Sequence, residues 1–111
     1  NNSTYGTMKA HSFVTYSDES LKTNIQPVEN ALEKVKSLKG VTYDWKSDGS
    51  SDIGFIAQEV EKVVPQIVKS NGNEGSYAMN YSRVTALLVE GIKEQQAQIE
   101  SLKNALASIK K

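Results

Sequence analysis

The chain has 111 residues, 13 basic and 13 acidic side chains and no cysteine. That is enough for one small domain with a modest private core. The charge balance excludes the clustered basic excess of a nucleic-acid footprint. The missing cysteines exclude disulfides and thiolate metal sites. No apolar run approaches the ~20 residues of a membrane span, and no signal-peptide pattern opens the chain.

Taken in order, residues 1–8 are small and polar and read as a loop or linker. The β-prone run Phe13-Val14-Thr15-Tyr16 predicts a strand over 8–16. Residues 17–24, rich in Ser, Asp, Thr and Asn, predict a turn or irregular connection. Pro27 suits a first helical position. Val28, Ala31, Leu32, Val35 and Leu38 follow at helical spacing, and Gly40 stands at a C-terminal stop. A helix over 27–39 is expected. Val41 to Trp45 predicts a short strand, 46–52 a turn, and Ile53 to Ile56 a second short strand. Ala57 to Val64 predicts a short helix ended by Pro65. Residues 71–75 read as a flexible loop and Tyr77 to Tyr81 as a brief extended segment.

Ser82 is the expected cap of a last helix that runs nearly to the end. With Tyr81 at d, the heptad continues through Thr85 (a), Leu88 (d), Ile92 (a), Gln95 (d), Ile99 (a), Leu102 (d), Leu106 (a) and Ile109 (d). This 3–4 alternation is the coiled-coil criterion. A lone helix would leave that seam wet, so self-association follows. Mixed Ile and Leu at a and d, with Gln95 as a register device, favour a trimer first and a dimer second. Leu87 and Val89 suggest that the stretch Val84 to Ile92 also packs on its own domain. The fold class is α+β: a small mixed domain of short strands and helices, followed by a long C-terminal helix forming a trimeric coiled coil.

Few residues carry chemistry. The single histidine, His11, stands without metal-ligand spacing, so no metal site is expected. Gly72 and Gly75 lack the strand–loop–helix frame of a phosphate loop. The carboxylate pairs Asp18/Glu19 and Glu59/Glu61 read as solvated faces. Ser17 and Lys22 remain, five positions apart. A serine hydroxyl becomes a nucleophile only when a base takes its proton, and a lysine is a base only when neutral. The spacing fits a turn that folds back. Taken alone, it is a common spacing, and a solvated turn explains it as well.

The residues around the pair add a resemblance. Ser17-Asp18-Glu19-Ser20-Leu21-Lys22-Thr23-Asn24-Ile25 resembles the opening of the C-terminal intramolecular chaperone domain, peptidase family S74, of bacteriophage tailspikes, tail fibres and neck appendages. Leu32-Glu33-Lys34-Val35, then Leu38 through Tyr43-Asp44-Trp45, resemble that family's helix and following strand. Gly54-Phe55-Ile56-Ala57-Gln58-Glu59-Val60 with Pro65 resembles its second signature. Tyr81 and the leucine-rich helix resemble its closing segment. The resemblance covers about residues 13–107.

It implies a homotrimer that assists folding of an upstream fibre domain of the same polypeptide and is then released by self-cleavage. The family's serine and lysine fall on Ser17 and Lys22, and its cut falls at Ser17, between Ser17 and Asp18. The chemistry itself leaves the side open. Attack by Ser17 on the preceding carbonyl cuts between Tyr16 and Ser17, whereas a cut after Ser17 needs water or another nucleophile. Residues 1–16 are then the end of the upstream fibre or a linker. Residues 17–111 are the chaperone domain, with 17–80 mixed α/β and 81–111 the coiled-coil helix. No cofactor, nucleic acid or membrane is implied. The implied location is the virion, with assembly in the host bacterial cytoplasm. A trimerisation or host-contact module that stays uncut is the alternative.

Overall fold

A computed structural model describes residues 14–70 and 76–109. The expected linker at 1–8, His11 and the loop at 71–75 lie outside them, as does most of the expected strand at 8–16. Where that strand is described, Val14 to Tyr16 form no ladder, and Val14 and Tyr16 are 90% and 91% exposed. β-prone residues make a strand only with a neighbour to pair, and none pairs with them among the described residues.

A single 3-10 turn at Glu19–Leu21 follows. The first helix, α1, spans Ala31–Ser37 and not 27–39. Asn30 sits in the left-handed region at φ 55°, which breaks any helix running in from Pro27. The free N–H groups of Ala31 and Leu32 are taken by the Glu94 carboxylate at 2.9 and 3.1 Å. The start of α1 is therefore set by a side chain from the far end of the chain, in the role a local cap usually fills. Its end comes at Leu38, whose N–H donates to the Val35 carbonyl.

β1 (Val41–Asp44) and β2 (Ser51–Gly54) form an antiparallel hairpin in which Val41 pairs Gly54 and Asp44 pairs Ser51. Ser51 and Asp52, expected in the turn, belong to β2. Gly49 takes φ 74° in the turn, a conformation glycine adopts without strain. α2 is Ala57–Glu61, shorter than expected. A turn through Val63 and Val64 then leads into a 3-10 turn at Pro65–Ile67, with Pro65 in its first residues. β3 (Val68–Ser70), which was not expected, pairs antiparallel with β4 (Tyr77–Met79).

α3 runs Tyr81–Ile109, a length of roughly 43 Å at 1.5 Å per residue. Its cap is Asn80 and not Ser82: the Asn80 Oδ1 accepts from the Ser82 N–H at 3.0 Å. Val60, Ile67 and Val84 form the core, with Leu38, Phe55, Val64, Val68 and Met79 packed around them. A second contact joins α1 to α3, where Ala31 and Leu87 are buried. Gly91 permits the approach, since a Cβ there would stand 3.0 Å from Val35 Cγ2. The α+β class, with short elements followed by a long C-terminal helix, is as the sequence predicts.

Candidate functional site

Ser17 leads into the 3-10 turn, and Lys22 closes it. Asp18 caps the turn, its carboxylate accepting from the Ser20 N–H at 2.8 Å. The Leu21 and Lys22 N–H groups donate to the carbonyls of Asp18 and Glu19, each at 3.0 Å. This single 3-10 turn lies between the two residues. It brings Lys22 Nζ to 2.7 Å from Ser17 Oγ, with the amine donating to the hydroxyl. Both residues are exposed in the single chain. For base catalysis the same contact must run the other way, with the hydroxyl donating to a neutral amine.

The bonds from Ser20 hold the Asp18 carboxyl below its ordinary value of 3.8, and the charge of Lys22 adds to the effect. Asp18 therefore stays ionised near neutrality and the turn stays capped.

The pair borders an open cleft of about 570 Å³. Thr15, Tyr16, Ser17 and Lys22 form one wall. Ser82, Arg83 and Ala86, from the first turns of α3, form the other. A larger cleft of about 720 Å³, between Gln66–Lys69 and Ala78–Arg83, shares Arg83 with it. Its walls hold no hydrogen-bonded nucleophile–base couple, so size alone does not mark the reactive place. Among the described residues no cluster of His, Asp or Glu is arranged to hold a metal ion, and no helix is long and apolar enough to cross a membrane.

The heptad residues lie away from this cleft, along α3. Val84, Leu87 and Gly91 point into the domain. Leu88 and Ile92 follow Leu87 and Gly91 by one residue, which turns them by ~100° out of that contact. They stay exposed, Ile92 at 64%. Ile99, Leu102, Leu106 and Ile109 continue the stripe, with Leu102 70% exposed, and Gln95 sits within it, also exposed. The upper part of α3 thus packs on its own domain with one face and presents the seam on another.

Sequence reasoning missed three contributors. Glu94 carries no sequence signal, yet it caps α1. Tyr81 reads only as a heptad position, yet its hydroxyl accepts from the Phe55 N–H at 3.1 Å beside Gly54. Arg83 carries no spacing signal and reaches the cleft only through the fold.

The family model described as "Chaperone of endosialidase" (Peptidase_S74) matches residues 17–69. The chain is similar to the long tail fiber protein Gp37 of Enterobacteria phage K3, 34% identical over 112 residues, covering 92% of this chain and 9% of that protein. It is also similar to the Gp37 proteins of Enterobacteria phage M1, 39% identical over 81% of this chain and 39% of that protein, and of Enterobacteria phage Ox2, 40% identical over 78% and 38%. The chain spans well under half the length of each of these relatives.

Proposed function

The chain belongs to the Peptidase_S74 family, and from that premise we propose that it is a trimeric intramolecular chaperone of a phage tail fibre that releases itself by one cut at Ser17. The upstream fibre domain of the same polypeptide is its client. The observation that carries the reading is the 2.7 Å contact between Lys22 Nζ and Ser17 Oγ, held by a capped turn against the first turns of α3.

In this reading Lys22, once neutral, takes the Ser17 proton. The exposed seam from Leu88 to Ile109 joins three copies. A trimeric end-piece holds three fibre chains in register at high effective concentration. Removing it afterwards leaves the fibre without a route back, so the product is kept by kinetics. Because α3 supplies both the seam and one wall of the cleft, assembly and cutting share an element.

The test is expression with an upstream fibre segment. Wild type should yield a shortened band, whereas Ser17→Ala and Lys22→Ala should stay full length and keep the oligomeric state. Normal cutting of both variants would remove the dyad. The first residue of the released piece fixes the bond: Asp18 for a cut after Ser17, Ser17 for an acyl shift from Tyr16. A second reading, a trimerisation or host-contact module that is never cut, is favoured by the exposure of the seam alone. It predicts intact chains in purified particles by mass spectrometry.

A further inference from the structure

We propose that Arg83, on the first turn of α3, supplies the positive charge that meets the oxyanion formed when the peptide carbonyl beside Ser17 is attacked. This deepens the self-cleavage reading and rests on it.

The cleft that Ser17 and Lys22 line is lined also by Ser82, Arg83 and Ala86. Of these three, Arg83 alone bears a charge. Its backbone N–H donates to the Asn80 carbonyl at 3.1 Å, which seats it in the capped start of α3. Its side chain has no ion pair or hydrogen bond among the described residues. Asp18, the carboxylate nearest the pair in sequence, is engaged by Ser20 at the cap of its own turn. Arg83, with no side-chain partner among the described residues, thus lines the cleft that Ser17 and Lys22 line.

Attack at a carbonyl carbon forms one C–O bond and moves the C=O π pair onto oxygen. The proton lost by the nucleophile, whether Ser17 Oγ or water, passes to Lys22. Collapse of the tetrahedral centre returns the pair and breaks the C–N bond, and the leaving nitrogen takes the proton from Lys22. Where Ser17 Oγ was the attacking atom, water then hydrolyses the ester. Lysine and serine thus account for the protons, and neither answers the negative oxygen. Donors aimed at such an oxygen contribute typically 10²–10³-fold in rate. Guanidinium groups present a fixed fork of five N–H donors to oxyanions. Placing that charge on α3 makes the cut depend on how the assembly helix is seated.

The experiment is a single-turnover release assay on full chains with an upstream segment. Only variants matching wild type in circular dichroism and oligomeric state are compared. Arg83→Gln should slow release by about 100-fold, and Arg83→Lys should be slowed less. Arg83→Ala should regain rate when guanidinium ion is added at millimolar concentration, a response that lost packing would not give. Should Arg83→Gln assemble poorly, Arg83→Met, which keeps the apolar stem, takes its place. Release within twofold of wild type in the assembled Gln or Met variant overturns the assignment. So does a loss that neither guanidinium nor lysine relieves. Ser17→Ala and Lys22→Ala are run alongside: if they cut normally, the Ser17–Lys22 dyad has failed and the role of Arg83 with it; if they stay uncut while Arg83→Gln cuts normally, the role of Arg83 alone has failed.

Discussion

At the scale of single residues, short polar contacts decide the geometry of the candidate site. Asp18 carries the turn that brings Ser17 and Lys22 together. Its carboxyl is held below 3.8 chiefly by the bonds from Ser20. A depressed carboxylate contributes stability that is present above its unfolded pKa and lost as pH falls through the folded one. The cap should therefore persist above the ordinary carboxyl value of 3.8 and open only on acidification below it. The Ser20 amide shift in NMR follows this directly, and a midpoint above 3.8 would contradict it. Gly54 is a second such residue. A Cβ there would collide with the Tyr81 hydroxyl, which also takes the Phe55 N–H. Gly54→Ala should cost about 1–3 kcal/mol by forcing Tyr81 aside. Urea unfolding measures it, and Tyr81→Phe should cost less because no clash is introduced. The Ser17–Lys22 contact was within reach of the sequence because both partners lie in one local turn, though their spacing alone is common and the resemblance of the residues around them singled them out. That Arg83 lines the same cleft could not be read there, because only the packing of α3 brings it to that cleft.

At the scale of elements, helix and strand types were legible while their limits were not. Apolar spacing from Val28 to Leu38 predicted a helix, yet α1 starts at Ala31, where Asn30 turns left-handed and Glu94 takes the free N–H groups. Periodicity reports which face is apolar and is silent on a cap supplied from sixty residues away. β3 escaped notice because three residues, Val68 to Ser70, carry no readable alternation. Glu94→Ala should unseat the start of α1 at a cost of about 1–2 kcal/mol, seen as faster amide exchange at Ala31 and Leu32. Glu94→Gln, which keeps an acceptor, should lose less. Equal protection in Glu94→Ala and wild type would show that the cap does not hold α1.

At the scale of the whole molecule, the private core is small and the exposed seam is long. Five apolar residues are buried among those described, Ala31, Val60, Ile67, Val84 and Leu87. The outer half of α3, from Gln95 on, buries nothing in the single chain. If copies associate along this stripe, stability depends on concentration. The unfolding temperature should rise with protein concentration, and analytical ultracentrifugation should give a trimer. Leu102→Asp removes nothing from the domain's own core, since Leu102 is 70% exposed. It should nonetheless abolish association while leaving the domain's circular dichroism below the seam intact. A Leu102→Asp chain that still sediments as wild type would place the interface elsewhere. The exposed apolar stripe of α3 was visible in the sequence because a heptad is a periodic, local pattern. Its neighbour on the same helix, the Val84–Leu87–Gly91 face, was visible only in part, because Gly91 carries no apolar signal and owes its place to close contact with Val35.

The hydrogen bond between Ser17 and Lys22 spans the Ser17–Asp18 bond. If the proposed cut falls there, and not before Ser17, the hydroxyl leaves with one product and the amine with the other. Neither product would then keep a working pair, so the severed end-piece would have no means of attacking a second fibre, and the fibre none of attacking itself. Such a tool would be a fuse: acting once, on the molecule that carries it, and disarmed by its own success.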